Sequence, residues 1–234
     1  MTKNIHSDVK ATIAKSSNTN LHDTFMAGIN LYNERFSLLE NNKKNQLEAF
    51  LFNMIDTASN KFKRKISKEV SILAHAPLKI IRYLALEKIA VAKPVLTHST
   101  VLTERDLLVI INLRGNQHRA AIAARKDITF PVSYKLVEIG NEEIIRTLVA
   151  NKNALISEKT FELIGDKITL KAEFEEIIAT RKNISASSLK ILLAEFSNSE
   201  LLNVLKNSNS KLQSMVKTKM ENFSGDQNLE VSMR

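Results

Sequence analysis

Few residues in this sequence have types and spacings that suggest catalysis. Ser187 and Lys190, and again Ser208 and Lys211, have the Ser-x-x-Lys spacing found in some acyl-transfer enzymes. The companion motifs of those enzymes are missing, and Ser187 lies at a predicted helix start, where serine is a preferred N-cap residue. The spacing therefore does not support an acyl-transfer activity.

Metal-binding and phosphate-binding patterns are equally weak. The chain has five histidines that are isolated from one another and no cysteine, so the usual zinc spacings do not occur. Its five glycines form neither a Walker-type loop nor a G-x-G-x-x-G motif. We therefore expect no metal, no cofactor and no enzymatic activity.

The strongest local pattern is a surplus of basic residues. The chain has 234 residues, with 34 Lys and Arg against 25 Asp and Glu, and its net charge is +9. Most of the surplus lies in residues 61–100, which contain nine basic and two acidic residues. Such a segment is suited to nucleic acid, an anionic lipid surface or an acidic protein. The alternative is a solvated helix face in a chain that is generally rich in lysine.

A second basic pattern recurs later in the chain. The tripeptides that begin at Arg125, Asn151 and Arg181 each contain basic and amide or acidic residues, and each follows a predicted helix. Cations at helix C-termini offset the helix dipole, which explains these residues without any ligand, and we favour that account. In stacked repeats they would instead align into a ladder for an acidic peptide or a phosphate backbone. The two patterns together give ten candidate binding residues: Lys61, Lys63, Arg64, Lys65, Lys68, Lys79, Arg82, Arg125, Lys152 and Arg181.

The elements that must position these residues are predicted to be helices. Only five glycines and three prolines occur, too few for the turns of a fold made of short strands. Apolar residues at steps of three or four predict an amphipathic helix from Leu21 to about Glu40, a second from Leu47 to Phe62 and a short third one from Ile66 to His75.

A repeat follows residue 76. An apolar residue and then a hydroxyl residue recur at intervals of 26, 28 and 28 residues, at Leu102-Thr103, Ile128-Thr129, Ile156-Ser157 and Ile184-Ser185. The hydroxyl is a preferred N-cap, and the apolar residue before it can pack on the residue four past the cap, except where that residue is Ser133. A second apolar segment completes each unit, so the repeat predicts short helix pairs that stack as a right-handed α-solenoid. The alternative is an irregular helical bundle with coincidental caps.

Some of these segments resemble a known family. Ile89 to Ser99, Leu102 to Leu108, Ala121 to Arg125 and Leu148 to Asn151 are similar to the pattern of a bacterial family catalogued as domain of unknown function 2336. The resemblance covers roughly residues 65–200. It implies HEAT or armadillo-like helical repeats without established catalytic residues, although the units here are shorter than the about 40–47 residues of standard HEAT or armadillo repeats.

The sequence predicts one structural domain with flexible ends. Residues 1–19 and 222–234 are expected to be flexible, residues 20–75 to cap the solenoid and residues 76–221 to form it. No secretory signal and no apolar run of about 20 residues occurs, so we expect a cytoplasmic protein. The predicted function is a non-enzymatic scaffold for a protein or peptide of acidic character. Binding of nucleic acid or an anionic surface through residues 61–93 is the alternative.

Overall fold

The structure is a computed structural model that describes residues 20–167 together with Gln213, Ser214 and Lys217. Residues 20–167 form ten α-helices, and no strand occurs in this range. None of these helices is long and apolar enough to cross a bilayer. The all-helical prediction is therefore confirmed for the described residues. The helices are α1 (Leu21–Glu34), α2 (Asn41–Asp56), α3 (Asn60–Val70), α4 (Leu78–Leu86), α5 (Ile89–His98), α6 (Glu104–Leu113), α7 (Asn116–Ala123), α8 (Phe130–Ile139), α9 (Glu142–Ala150) and α10 (Glu158–Lys167).

The chain divides into two compact units, residues 1–125 and residues 126–234. Helices α1 to α7 belong to the first unit, and helices α8 to α10 belong to the second. The boundary predicted after residue 75 stays a prediction. The ends predicted to be flexible, residues 1–19 and 222–234, lie outside the described residues.

The helices before residue 76 differ in their bounds from the sequence prediction. α1 ends at Glu34, where a turn begins, and not near Glu40. The stripe predicted to run to Phe62 is divided, because the hydroxyl of Ser59 accepts the backbone N–H of Phe62 and starts a new helix. That new helix is α3, so the densest basic run lies on one helix from its first turn onward.

Apolar residues on one side of each helix form the core of the first unit. In α1, Phe25 and Ile29 are fully buried. Gly28 beside them allows close contact with α2, since a Cβ at this position would lie 2.8 Å from Cδ2 of Leu51. α5 lies at the centre of the unit and packs against α3, α4 and α7. α3 is therefore held from one side by the core, and its opposite side faces solvent.

The repeat locates three helix starts correctly. Thr103, Thr129 and Ser157 lie directly before α6, α8 and α10. The side chain of Thr103 accepts the N–H of Asp106, whose carboxylate accepts the N–H of Thr103 in return, which completes a capping box. The fourth predicted start, at residues 184–185, lies outside the described residues.

In the second unit, α8 packs against α9 and α10. Ser133 of α8 stands where the repeat otherwise places an apolar residue, and its side chain is fully buried. Its hydroxyl donates to the carbonyl oxygen of Leu155 at 2.6 Å. A backbone bond from the N–H of Leu155 to the carbonyl oxygen of Ile128 lies on the same segment. The polar residue thus fixes the loop before α10 to α8.

Candidate functional site

The densest part of the basic segment lies on α3, which has a buried and an exposed side. Its buried residues are Lys63, Ile66, Ser67 and Val70, at the spacing of three and four that defines one helix face. The exposed basic residues are named the α3 basic face: Lys61, Arg64, Lys65 and Lys68.

The α3 basic face occupies one narrow stripe of the helix. With 3.6 residues per turn, its four side chains fall within an arc of about 100°, opposite the buried residues. Along the axis they span about 10 Å, because each residue adds about 1.5 Å. The stripe is therefore a compact cluster of four positive charges on one side of one helix.

No counter-ion for this cluster is found in the part of the chain that the structure describes. None of its four side chains forms an ion pair, a side-chain hydrogen bond or a cation–π contact among those residues. The one acidic residue of α3, Glu69, binds elsewhere, since both of its carboxylate oxygens contact Nε2 of His22, at 2.9 and 3.1 Å. Among the described residues, the positive charge of the cluster is therefore not balanced by a carboxylate.

Lys63 has a different role from its neighbours on α3. It is buried, and its ammonium group donates to the hydroxyl of Tyr83 at 2.5 Å and to the carboxylate of Glu87 at 2.7 Å. Burial opposes the charged form of Lys63, but the bonds to Glu87 and Tyr83 outweigh it and raise its pKa. The bond from Lys63 lowers the pKa of the Glu87 carboxyl. Lys63 and Glu87 thus form a structural ion pair that connects α3 to the end of α4.

Arg82 and Lys79 on α4 are also engaged within the first unit. Nε of Arg82 donates to Asp106 at 2.7 Å, on the carboxylate that caps α6. Burial disfavours the charged form of that carboxyl, yet the bonds from Arg82 and Thr103 prevail and lower the pKa of Asp106. The ammonium of Lys79 lies 4.1 Å from the ring centre of Phe52. These two cations are not part of the α3 basic face.

Arg125 and Lys152, two cations of the second basic pattern, lie in different surroundings. Arg125 is 1% exposed, and its guanidinium donates to the carbonyl oxygens of Leu96 at 2.7 Å and Ser99 at 2.8 Å. Its side chain therefore caps the end of α5. Lys152 is exposed on the turn after α9, and Arg181 lies outside the described residues.

Sequence reasoning missed a set of polar bonds that join residues about one repeat apart. The pairs Lys63–Glu87 and Arg82–Asp106 are each separated by 24 residues. Lys167 of α10 donates to the carbonyl oxygen of Val137, 30 residues earlier. Opposite charges at a constant offset close to the repeat length are the signal that could have identified the first two pairs.

Metal chemistry has no support in the described residues. Among them, no group of three or more His, Cys, Asp and Glu side chains is arranged to hold a metal ion.

Comparison with known proteins identifies a family only. No curated protein and no solved structure matches the chain. The sequence model of a family described as an uncharacterised protein conserved in bacteria, DUF2336, matches residues 91–223. The match covers α6 to α10 and most of α5, whereas α3 lies before it. Because the matched span is more than half of the sequence, this chain belongs to that bacterial family of unknown function.

Proposed function

We propose that this protein is a non-enzymatic helical scaffold in the cytoplasm, which binds a protein or peptide of acidic character through the α3 basic face. The observation that carries the proposal is that only some cations of the basic segment pair with carboxylates. Lys63 and Arg82 are neutralised by carboxylates, while the four cations of the α3 basic face have no counter-ion in the described part of the chain.

Repulsion among the four cations of the α3 basic face opposes folding of the isolated protein. Its members form four like-charge pairs at separations of three or four residues along the helix. Each such pair opposes helix formation by about 0.2–0.5 kcal/mol, so the set opposes it by about 1–2 kcal/mol. An acidic partner that neutralises the face removes this repulsion, which favours binding.

The arrangement of the helices supports an extended binding surface. Short helices alternate along the chain as α4 and α5, α6 and α7, and α8 and α9. We propose that the pairs of residues 76–221 stack as a right-handed solenoid of the HEAT or armadillo kind, with residues 20–75 as its N-terminal cap. Solenoids of this kind present long surfaces to partner proteins.

Nucleic acid is the second candidate for the same face, and the surroundings of Tyr83 weigh against it. Unpaired bases commonly stack on exposed aromatic rings. Tyr83 is the only tyrosine in the basic segment, but its hydroxyl accepts a bond from Lys63 and its ring packs edge-on against Phe52 at 5.3 Å. An acidic protein surface needs no such stacking platform.

The proposal is tested by titrating the full chain with an acidic peptide, a DNA duplex and phosphatidylglycerol vesicles at two salt concentrations. Exposed ion pairs contribute about 0.2–1 kcal/mol each, so four pairs give at most about 4 kcal/mol. That free energy corresponds to a dissociation constant near 1 mM, and the peptide titration must therefore reach millimolar concentrations. We expect peptide binding that weakens as salt increases.

Two variants with the same net charge decide whether the α3 basic face is responsible. The first replaces its four residues with glutamine. The control replaces three lysines and one arginine that are exposed elsewhere, namely Lys88, Lys93, Arg105 and Lys126. We expect the first variant to lose peptide binding and the control to retain it. Equal losses in both variants, or binding of DNA or vesicles without the peptide, would overturn the proposal.

A further inference from the structure

An exposed isoleucine lies directly beyond the α3 basic face. Ile72 is 77% exposed, the largest fraction among the large apolar residues that the structure describes. Helix α3 ends at Val70, but Ser71 keeps helical backbone angles of −63° and −22°. Ile72 follows Lys68 by four residues, close to one helical turn, and lies in the turn just beyond the stripe of the α3 basic face.

Local bonds hold Ile72 in this position. The hydroxyl of Ser71 donates to the carbonyl oxygen of Lys68 at 2.8 Å, and the N–H of Leu73 donates to the carbonyl oxygen of Val70 at 3.2 Å. Val70 and Ser71, the two residues directly before Ile72, are buried, so the turn is anchored to the core. The exposed isoleucine is thus presented from an ordered turn, in a fixed relation to the four cations.

We infer that the occupant of this surface is an amphipathic acidic helix whose carboxylates contact the α3 basic face and whose apolar side chain, one turn beyond them, contacts Ile72. The inference rests on the proposed function and deepens it by naming the partner's structure. Docking of one face of an amphipathic helix on a partner surface is a recurring mode of peptide recognition.

The axial spacing of the surface favours a helical partner. From Lys61, the other three cations lie at about 4.5, 6 and 10.5 Å along α3, since each residue adds about 1.5 Å, and Ile72 lies beyond them in the turn after Val70. A second helix repeats these steps when its acidic residues stand three, four and seven residues after the first one and its apolar residue lies about one turn further on. An extended chain presents side chains on one face about every 6.6 Å, which matches this series poorly.

The buried side of α3 argues against a bilayer as the occupant. A helix that lies on a membrane directs its apolar face into the lipid and carries its cations at the border. The apolar face of α3, with Ile66 and Val70, is already buried in the core of the first unit. A single isoleucine at the end of a charged stripe fits a partner with one matching apolar residue.

The test uses two alanine-rich peptides that differ only in their apolar residues. Both carry four glutamates at the spacing of the α3 basic face. One peptide has a leucine one turn beyond each end of the acidic stripe, so that either direction of docking is possible, and the other has serine at these places. We expect the full chain to bind the leucine peptide about tenfold more tightly, because partial burial of the isoleucine is lost with the serine peptide.

The variant Ile72→Ser and a matched control separate the inference from the proposed function. Leu113→Ser removes another exposed apolar side chain of the first unit, 67% exposed, at the end of α6. We expect Ile72→Ser to bind both peptides equally, and Leu113→Ser to keep the preference for the leucine peptide.

Each contrary result has a distinct meaning. If Ile72→Ser keeps the preference while the four glutamine substitutions abolish binding of both peptides, the inference is wrong and the proposed function stands. If the wild-type chain binds neither peptide, the proposed function is wrong as well. If Ile72→Ser reduces sedimentation with phosphatidylglycerol vesicles while the wild-type chain shows no preference between the peptides, a bilayer replaces the helix as the occupant.

Discussion

The guanidinium of Arg125 donates to the carbonyl oxygen of Ser99, which lies 26 residues earlier in the chain, at 2.8 Å. The same guanidinium reaches the carbonyl oxygen of Leu96. Both acceptors belong to the end of α5, where helix carbonyl groups lack partners within the helix. One buried cation thus satisfies two carbonyl groups at the end of the central helix of the first unit.

We predict that Arg125→Met destabilises the protein by about 2–4 kcal/mol, because two buried carbonyl groups lose their charged donor. Urea unfolding followed by circular dichroism measures the change. The control is Lys126→Met, at the neighbouring exposed position, which should alter the free energy of unfolding by less than about 0.5 kcal/mol. Similar values for the two variants would contradict the structural role of Arg125.

The paired lysine Lys63 and the exposed lysine Lys65 on α3 should differ in how much stability is lost when their charge is removed. Lys63→Met leaves the carboxylate of Glu87 without its partner, and we expect a loss of about 2–3 kcal/mol, since the pair is only partly shielded from water. Lys65→Met should change stability by less than about 0.5 kcal/mol, because Lys65 has no counter-ion among the described residues. Equal losses of unfolding free energy for the two variants in urea would contradict the different roles of Lys63 and Lys65.

His118 should make the protein less stable in mild acid. Burial lowers the pKa of His118, and the charge of Arg114 lowers it further, although the bond from Nε2 to the carbonyl oxygen of Glu87 opposes the shift. The unfolded chain, with a histidine pKa near 6.5, then binds a proton that the folded chain does not. The contribution of His118 to the free energy of unfolding is therefore fully present above about pH 6.5. It is lost as the pH falls from there through the lower pKa that His118 has in the folded chain.

The measurement is the free energy of unfolding between pH 7.5 and pH 5 for His118→Gln and for the exposed control His98→Gln. The His118 variant should show a flatter dependence than the wild-type chain, and the His98 variant should follow the wild-type curve. An unchanged slope in the His118 variant would assign the acid sensitivity to other groups.

Ser133 offers a test of the repeat pattern against the structure. The pattern favours an apolar residue at this position, so it predicts that Ser133→Leu is stabilising. The structure predicts the opposite, because leucine is too large for a filled site and leaves the carbonyl oxygen of Leu155 without its donor. We expect a loss of about 2–4 kcal/mol for Ser133→Leu and about 1–2 kcal/mol for Ser133→Ala, measured by thermal unfolding. A higher melting temperature for the leucine variant would favour the sequence pattern.

The sequence allowed good prediction of helix starts but not of side-chain partners. Thr103 and Ser157 were identified because N-cap chemistry is local and depends on neighbours within one turn. Lys63 was grouped with the candidate binding residues of the basic segment, although it stands three residues before Ile66 on the inner face of α3. Its partner Glu87 was not predictable, because that contact depends on how α3 and α4 pack. The burial of Arg125 ran against the general preference of arginine for solvent.

The contact between His22 and Glu69 has a consequence for the charge of α3. Lys65 stands four residues before Glu69 on the same helix, a separation at which a carboxylate and an ammonium group can meet. Both carboxylate oxygens of Glu69 contact the imidazole of His22 at the start of α1, and Glu69 therefore does not pair with Lys65. If α1 separated from α3, Glu69 would be released to pair with Lys65 and would compete with an acidic partner. Binding at the α3 basic face therefore depends on an intact contact between α1 and α3.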